Sequence, residues 1–153
     1  MAKQLEIVEI AFERNTKANK DGSVLGTLTV GTREFPTIER GAGYVNLKQG
    51  DYVMVHSTKN TGRKIKCLRP EITRIGTLLV HDAYNDSSNQ LQGCIAPGME
   101  IKPNGMGILR SAQAMDEIWK LLGGWEAGKK VTLKVENNLP GETRTKDTWE
   151  RLK

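Results

Sequence analysis

One stretch alone, Ala112 to Leu122, repeats its apolar residues at helical spacing, with Met115, Ile118, Trp119 and Leu122 on a single face. The rest of the chain comes in short runs of alternating or β-rich character, cut repeatedly by glycine, asparagine, aspartate or proline. Such punctuation favours strands over a helical bundle. It predicts a mainly β fold, a small sheet sandwich or barrel, with one packed α-helix near residues 111–122. Aromatic residues are only 5% of the chain and glycines number 16, so the core should be modest and the turns many. With 153 residues and no internal repeat or linker, one β-rich domain is expected over residues 1–136. A polar C-terminal tail, 137–153, follows it, with Trp149 and Leu152 as its large apolar groups.

The strands read in order. Leu5 to Phe12 alternates with a slip of phase, which suggests a bulge, and Asp21-Gly22 marks a hairpin. Ser23 to Val30 and Arg33 to Ile38 extend this into a meander. Tyr52 to Ser57, Lys64 to Leu68, Gly76 to Val80, Met99 to Ile101 and Lys130 to Glu136 supply the remaining strand signals. Ser111 reads as the helix N-cap, Asp116 and Glu117 suit the early helix, and Gly123-Gly124 ends it.

Chemistry concentrates in Leu78 to Gly98. An apolar run delivers His81 at a strand end, a loop rich in Asn, Asp and Ser follows, and Gly93-Cys94-Ile95 closes it. Two neighbouring strands would bring the imidazole and the thiol together. A thiol of ordinary pKa is mostly protonated near neutrality, and His81 is the natural base to make Cys94 a nucleophile. Gly93 permits close backbone approach to a carbonyl, and amide groups around Cys94, including that of Ile95, could stabilise an oxyanion. Asp82, Asn85 or Asp86 could orient the imidazole, as could a backbone carbonyl. The alternative is packing, since a free cysteine followed by Ile in a short strand is commonly core. Of the other candidates, His56 shares a strand face with Tyr52 and Met54 and reads as a structural histidine. Cys67 reads as a packing residue beside Ile65. No His/Cys cluster has zinc-like spacing, so neither metal nor cofactor is expected.

His81, a polar spacer and Gly93-Cys94-Ile95 resemble the active-site signature of L,D-transpeptidases. The wider order resembles a small domain family of bacteria and bacteriophages. The matching pieces are Gly26-Thr27-Leu28, Val45 to Tyr52, Pro70-Glu71-Ile72, Leu79-Val80-His81, Asn85, Gly93-Cys94-Ile95 and Arg110-Ser111. Two departures stand out. Ala96 replaces the arginine of the transpeptidase pattern, and His81 to Asn85 is one residue longer than the family's His-x-Gly-Asn. The resemblance implies Cys94 attack on an amide of a peptidoglycan stem peptide, by transpeptidation or carboxypeptidase-like hydrolysis, in a phage or mobile-element context.

Charge adds a second theme. Between Lys59 and Arg74 lie six basic residues against Glu71 alone, equal to the chain's whole net charge of +5. This segment could attract anionic polymer or an acidic partner, or its lysines could guard an edge strand. A non-catalytic virion or secretion-system protein on the same scaffold is the alternative reading, with homo-oligomers through the tail and virion proteins as partners. Nucleic-acid binding ranks third, because no aromatic platform accompanies the charge. There is no 18-residue apolar run for a membrane span and no signal-peptide core near Met1, so a cytoplasmic, soluble species at synthesis is expected.

Overall fold

The computed structural model describes residues 9–40, 47, 49–60, 64–71 and 95–137. Its elements are β1 (Glu9–Arg14), β2 (Ser23–Val30), β3 (Arg33–Arg40), β4 (Gly50–Asn60), β5 (Lys64–Pro70), β6 (Ala96–Pro97), β7 (Glu100–Ile101), β8 (Ile108–Leu109), α1 (Ser111–Leu121) and β9 (Lys130–Glu136). Among the described residues, seven strands form one sheet in the order β5-β4-β9-β1-β2-β3-β6, and β7 pairs with β8 separately. The sheet curls into a half-barrel. The mainly β architecture with one helix is therefore as the periodicity predicts.

Local chemistry explains the meander. Between β1 and β2, Gly22 takes a positive φ of 88°, and the Asp21 carboxylate accepts the Ser23 N–H at 2.9 Å. Between β2 and β3 only Gly31-Thr32 intervenes, with Val30 opposite Arg33 and Gly31 at φ 62°. The last strand then inserts in the middle. β9 pairs parallel with β1 (Ile10 opposite Leu133) and antiparallel with β4 (Met54 opposite Val131).

Alternation decides what the concave face holds. Ile10 and Phe12, Leu28 and Val30, Met54, Leu133 and Val135 all point inward and are buried. Against them α1 lays Ala114, Met115, Ile118 and Trp119, with Leu122 just beyond its end. Each large side chain so removed from water contributes about 1.5–3 kcal/mol before conformational entropy is set against it. A smaller cluster, Ile38, Cys67, Ala96 and Ile108, draws on both edge strands β5 and β6.

The helix ends as expected and begins differently. Gly123 takes φ 86°, its N–H donates to the Lys120 carbonyl, and the Gly124 N–H donates to the Trp119 carbonyl at 2.7 Å, a Schellman closure. At the other end Arg110 is the cap, in the left-handed region with φ 58°, and among the described residues no side chain caps the helix. Ser111 is the first helical residue, and its hydroxyl donates to the Pro97 carbonyl at 2.6 Å. A tertiary acceptor thus replaces the capping role that the sequence predicts for Ser111. Asp116 and Glu117 lie beyond the first turn, which holds no acidic residue.

Candidate functional site

His81, Asp82, Asn85, Asp86, Gly93 and Cys94 lie outside the described residues, as do the tail residues Trp149 and Leu152. Ile95 is described, and it is 1% exposed. It leads into β6, where Ala96 pairs with Ile38 and Pro97 with Thr37, and the Gly98 N–H donates to the Pro36 carbonyl at 2.8 Å. Chain positions 72–94 connect the end of β5, at one edge of the sheet, to β6 at the other. The Ser111 hydroxyl on the Pro97 carbonyl brings the start of α1 against the strand that follows Gly93-Cys94-Ile95.

The surroundings of Ala96 are apolar. Ala96 is fully buried in the second cluster with Ile38, Cys67 and Ile108. A guanidinium at this position would have to be buried without a charged partner in that cluster, which costs several kcal/mol. Gly98 is similarly constrained, because a Cβ there would lie 2.5 Å from the Ile108 Cβ. β6 is thus seated closely on β3 and β8.

His56, the rival base, is a structural residue. It is 1% exposed on the concave face of β4, and its ring packs edge-on against Trp119 at 5.1 Å. Its Nδ1 accepts the Glu126 N–H at 3.3 Å, so the ring proton belongs on Nε2, which has no hydrogen-bond partner among the described residues. Its backbone holds the same turn, donating N–H to the Lys129 carbonyl and accepting from Gly128. The Trp125 indole N–H adds a bond to the Ser57 carbonyl at 3.2 Å. His56 therefore pins the connection from α1 to β9 onto β4.

Burial lowers the His56 pKa from its ordinary value; Lys129 acts in the same direction and Glu126 opposes it. The fold thus favours neutral His56. Its contribution to stability is full above the unfolded pKa of about 6.5 and is lost as pH falls toward the depressed folded value. Protonation would also turn Nδ1 into a donor facing the Glu126 N–H. Urea unfolding at neutral and mildly acid pH is expected to show this loss in the wild type. His56→Gln should lower the stability at neutral pH by about 1–3 kcal/mol and flatten the acid slope. An unchanged slope would mean that another group governs it.

Cys67 is fully buried in the second cluster, in agreement with its reading as a packing residue. Lys66 and Arg69 are exposed on β5, which stands at the edge of the sheet order, the placement expected for charged edge residues. Among the described residues no group of three or more His, Cys, Asp or Glu side chains could hold a metal ion. No described helix is long and apolar enough to cross a membrane.

Sequence reading missed the polar centre of the fold. Arg14 and Glu39 both have side chains 0% exposed, and they pair through Nε to Oε1 at 2.6 Å and Nη2 to Oε2 at 2.7 Å. Each looks like the start of a polar loop. The available signal is the period of two in Ile10, Phe12 and Arg14, which puts Arg14 on the apolar face.

No protein-family model, curated protein or solved structure matches the chain.

Proposed function

We propose that the chain is a cysteine-dependent enzyme of amide acyl transfer or hydrolysis, acting on a peptide of peptidoglycan stem type. Cys94 is the nucleophile and His81 the base. Its thiol proton passes to His81 as sulfur bonds to the carbonyl carbon. The proton then goes to the departing amine as the C–N bond breaks, leaving a thioester. Water resolves the thioester to a carboxylic acid, or an amine resolves it to a new amide, and either step frees the thiol. Backbone N–H groups at Cys94 and Ile95 stabilise the oxyanion, with Gly93 allowing the approach. Asp82, Asn85 and Asp86 are the candidates for orienting His81.

The observation that carries this reading is the Ser111 hydrogen bond to Pro97. Gly93-Cys94-Ile95 and Arg110-Ser111 are separate pieces of the resemblance, and this contact ties the strand following the first to the helix opened by the second. The sequence supplies the rest of the support. A bacteriophage or mobile-element setting, with the protein reaching the cell wall at lysis or in a particle, belongs to the same proposal.

The pH dependence of Cys94 alkylation tests it. Iodoacetamide should report an apparent thiol pKa well below about 8.5, rising toward that value in His81→Ala. Cys67→Ala is the control and should leave the profile unchanged, because Cys67 is buried. A slow or ordinary thiol that ignores His81 would overturn the reading.

A further inference from the structure

The connection from α1 to β9, residues 123–129, contains no buried residue: Gly124, Trp125 and Lys129 are half-buried and the others exposed. Trp125 alone among them brings a large apolar side chain against the core. Two adjacent residues of β4 hold the connection down. The His56 N–H donates to the Lys129 carbonyl at 2.7 Å, and the Gly128 N–H donates to the His56 carbonyl at 3.0 Å. The Glu126 N–H rests on the His56 ring and the Trp125 indole on the Ser57 carbonyl. Beneath lie His56 and Trp119, 1% and 6% exposed. A segment with so little apolar burial and so few fastenings opens at lower cost than the sheet it covers. Gly124 at φ 98° and Gly128 at φ 87° stand near its two ends, where glycine backbone absorbs the change of direction.

One of these fastenings depends on a proton. Neutral His56 accepts the Glu126 N–H, whereas an imidazolium has N–H on both nitrogens and accepts nothing. Closed and protonated, the ring would set N–H against N–H and bury a charge. The charged groups that face it come from the connection itself: Lys129 disfavours the imidazolium and Glu126, an exposed side chain, favours it. Lys66 of β5 lies behind Trp125, its Nζ 5.4 Å from the centre of the indole. On β9 the ammonium of Lys130, opposite Val55, is held by Glu71. α1 brings Trp119 to the ring and β5 places Leu68 opposite His56, and neither titrates.

We infer that residues 123–129 form an acid-released strap: protonation of His56 frees the strap from β4 while the sheet stays folded, and uncovers Trp119. Once open, the imidazole meets water and regains its ordinary pKa of about 6.5, so opening takes up a proton. The open fraction therefore rises as pH falls through about 6.5, by at most about tenfold per pH unit, until the closed ring itself titrates. The strap is separate from the Cys94 proposal and stands whether or not Cys94 reacts.

Native-state hydrogen exchange of the full-length, nitrogen-15-labelled protein tests it between about pH 7.5 and pH 5.5, each rate being divided by its intrinsic value to give an opening constant. The opening constants of the Glu126 and Gly128 amides and of the Trp125 indole N–H should rise together toward acid and stay well above those of β1 and β2. Trp125→Phe removes the bond to Ser57 and leaves His56 in place; it should raise strap opening by one factor at every pH and keep the slope. His56→Gln, which does not titrate, should abolish the slope. Strap amides that exchange in step with β1 and β2 at every pH would mean that only the whole fold opens, and this overturns the inference. So does a flat profile in the wild type, or a slope that survives in His56→Gln.

Discussion

Replacing Glu39 with alanine is expected to destabilise the protein by about 3–5 kcal/mol, because it leaves the Arg14 guanidinium buried without its counter-charge. Arg14 is bound on every side. Besides the two contacts to Glu39, its Nη2 donates to the Leu47 carbonyl at 2.8 Å and its Nη1 to the Asn137 carbonyl at 2.8 Å. The Asn137 amide returns a bond to the Arg14 carbonyl at 2.9 Å, and the guanidinium lies 5.3 Å from the centre of the Phe12 ring. One side chain thus connects β1, β3, residue 47 and the end of β9. Removing the carboxylate keeps the desolvation cost and discards the compensation. Against a total stability of about 5–15 kcal/mol for a domain, such a loss is visible as a large drop in urea midpoint.

The double substitution Arg14→Met with Glu39→Leu should recover most of that loss, since both charges and their desolvation are then gone. A double-mutant cycle would measure a strong coupling. A loss below about 1 kcal/mol in Glu39→Ala would show that water or another group compensates Arg14.

This pair also marks where sequence reading stops. The strands Ser23 to Val30, Arg33 to Ile38 and Lys130 to Glu136 were legible, because alternation and turn residues are local signals. The helix was legible because Met115, Ile118, Trp119 and Leu122 recur at a period that only a helix satisfies. Partnerships were not. Nothing local in Val131, Leu133 and Val135 says that they lie between β1 and β4, and parallel pairing with β1 spans almost the whole chain. The short strands Ala96–Pro97 and Ile108–Leu109 carry too few residues to show a period. Ser111 was misread for a related reason, since a serine before an apolar run looks like a cap until a tertiary carbonyl claims its hydroxyl. Ile95, which the sequence offers as an oxyanion-loop residue, lies buried just before β6, and the pairing of His81 with Cys94 rests on sequence pattern.

Gly26→Ala is expected to destabilise by about 1–3 kcal/mol, and Gly26→Val by more. General propensity argues the opposite sign. Glycine inside a strand costs roughly 0.5–1 kcal/mol relative to alanine, so a freely accommodated methyl group would stabilise β2. Geometry decides against it. Gly26 sits on the concave face between Arg14 of β1 and Thr37 of β3. A Cβ there would lie 2.8 Å from the Glu13 carbonyl oxygen, 2.8 Å from Phe12 Cε1 and 2.9 Å from Thr37 Oγ1. The first of these is backbone in the β1–β2 ladder and the second belongs to a fully buried ring, so neither yields cheaply. The missing side chain also leaves β2 low where Arg14 reaches across it to Glu39. Gly26→Ala and Glu39→Ala should therefore fall short of additivity, because forcing β1 away from β2 already weakens the contact that Glu39→Ala removes. Thermal or urea unfolding of the three variants checks both statements, and a stabilised Gly26→Ala would refute the steric account of the glycine in Gly26-Thr27-Leu28.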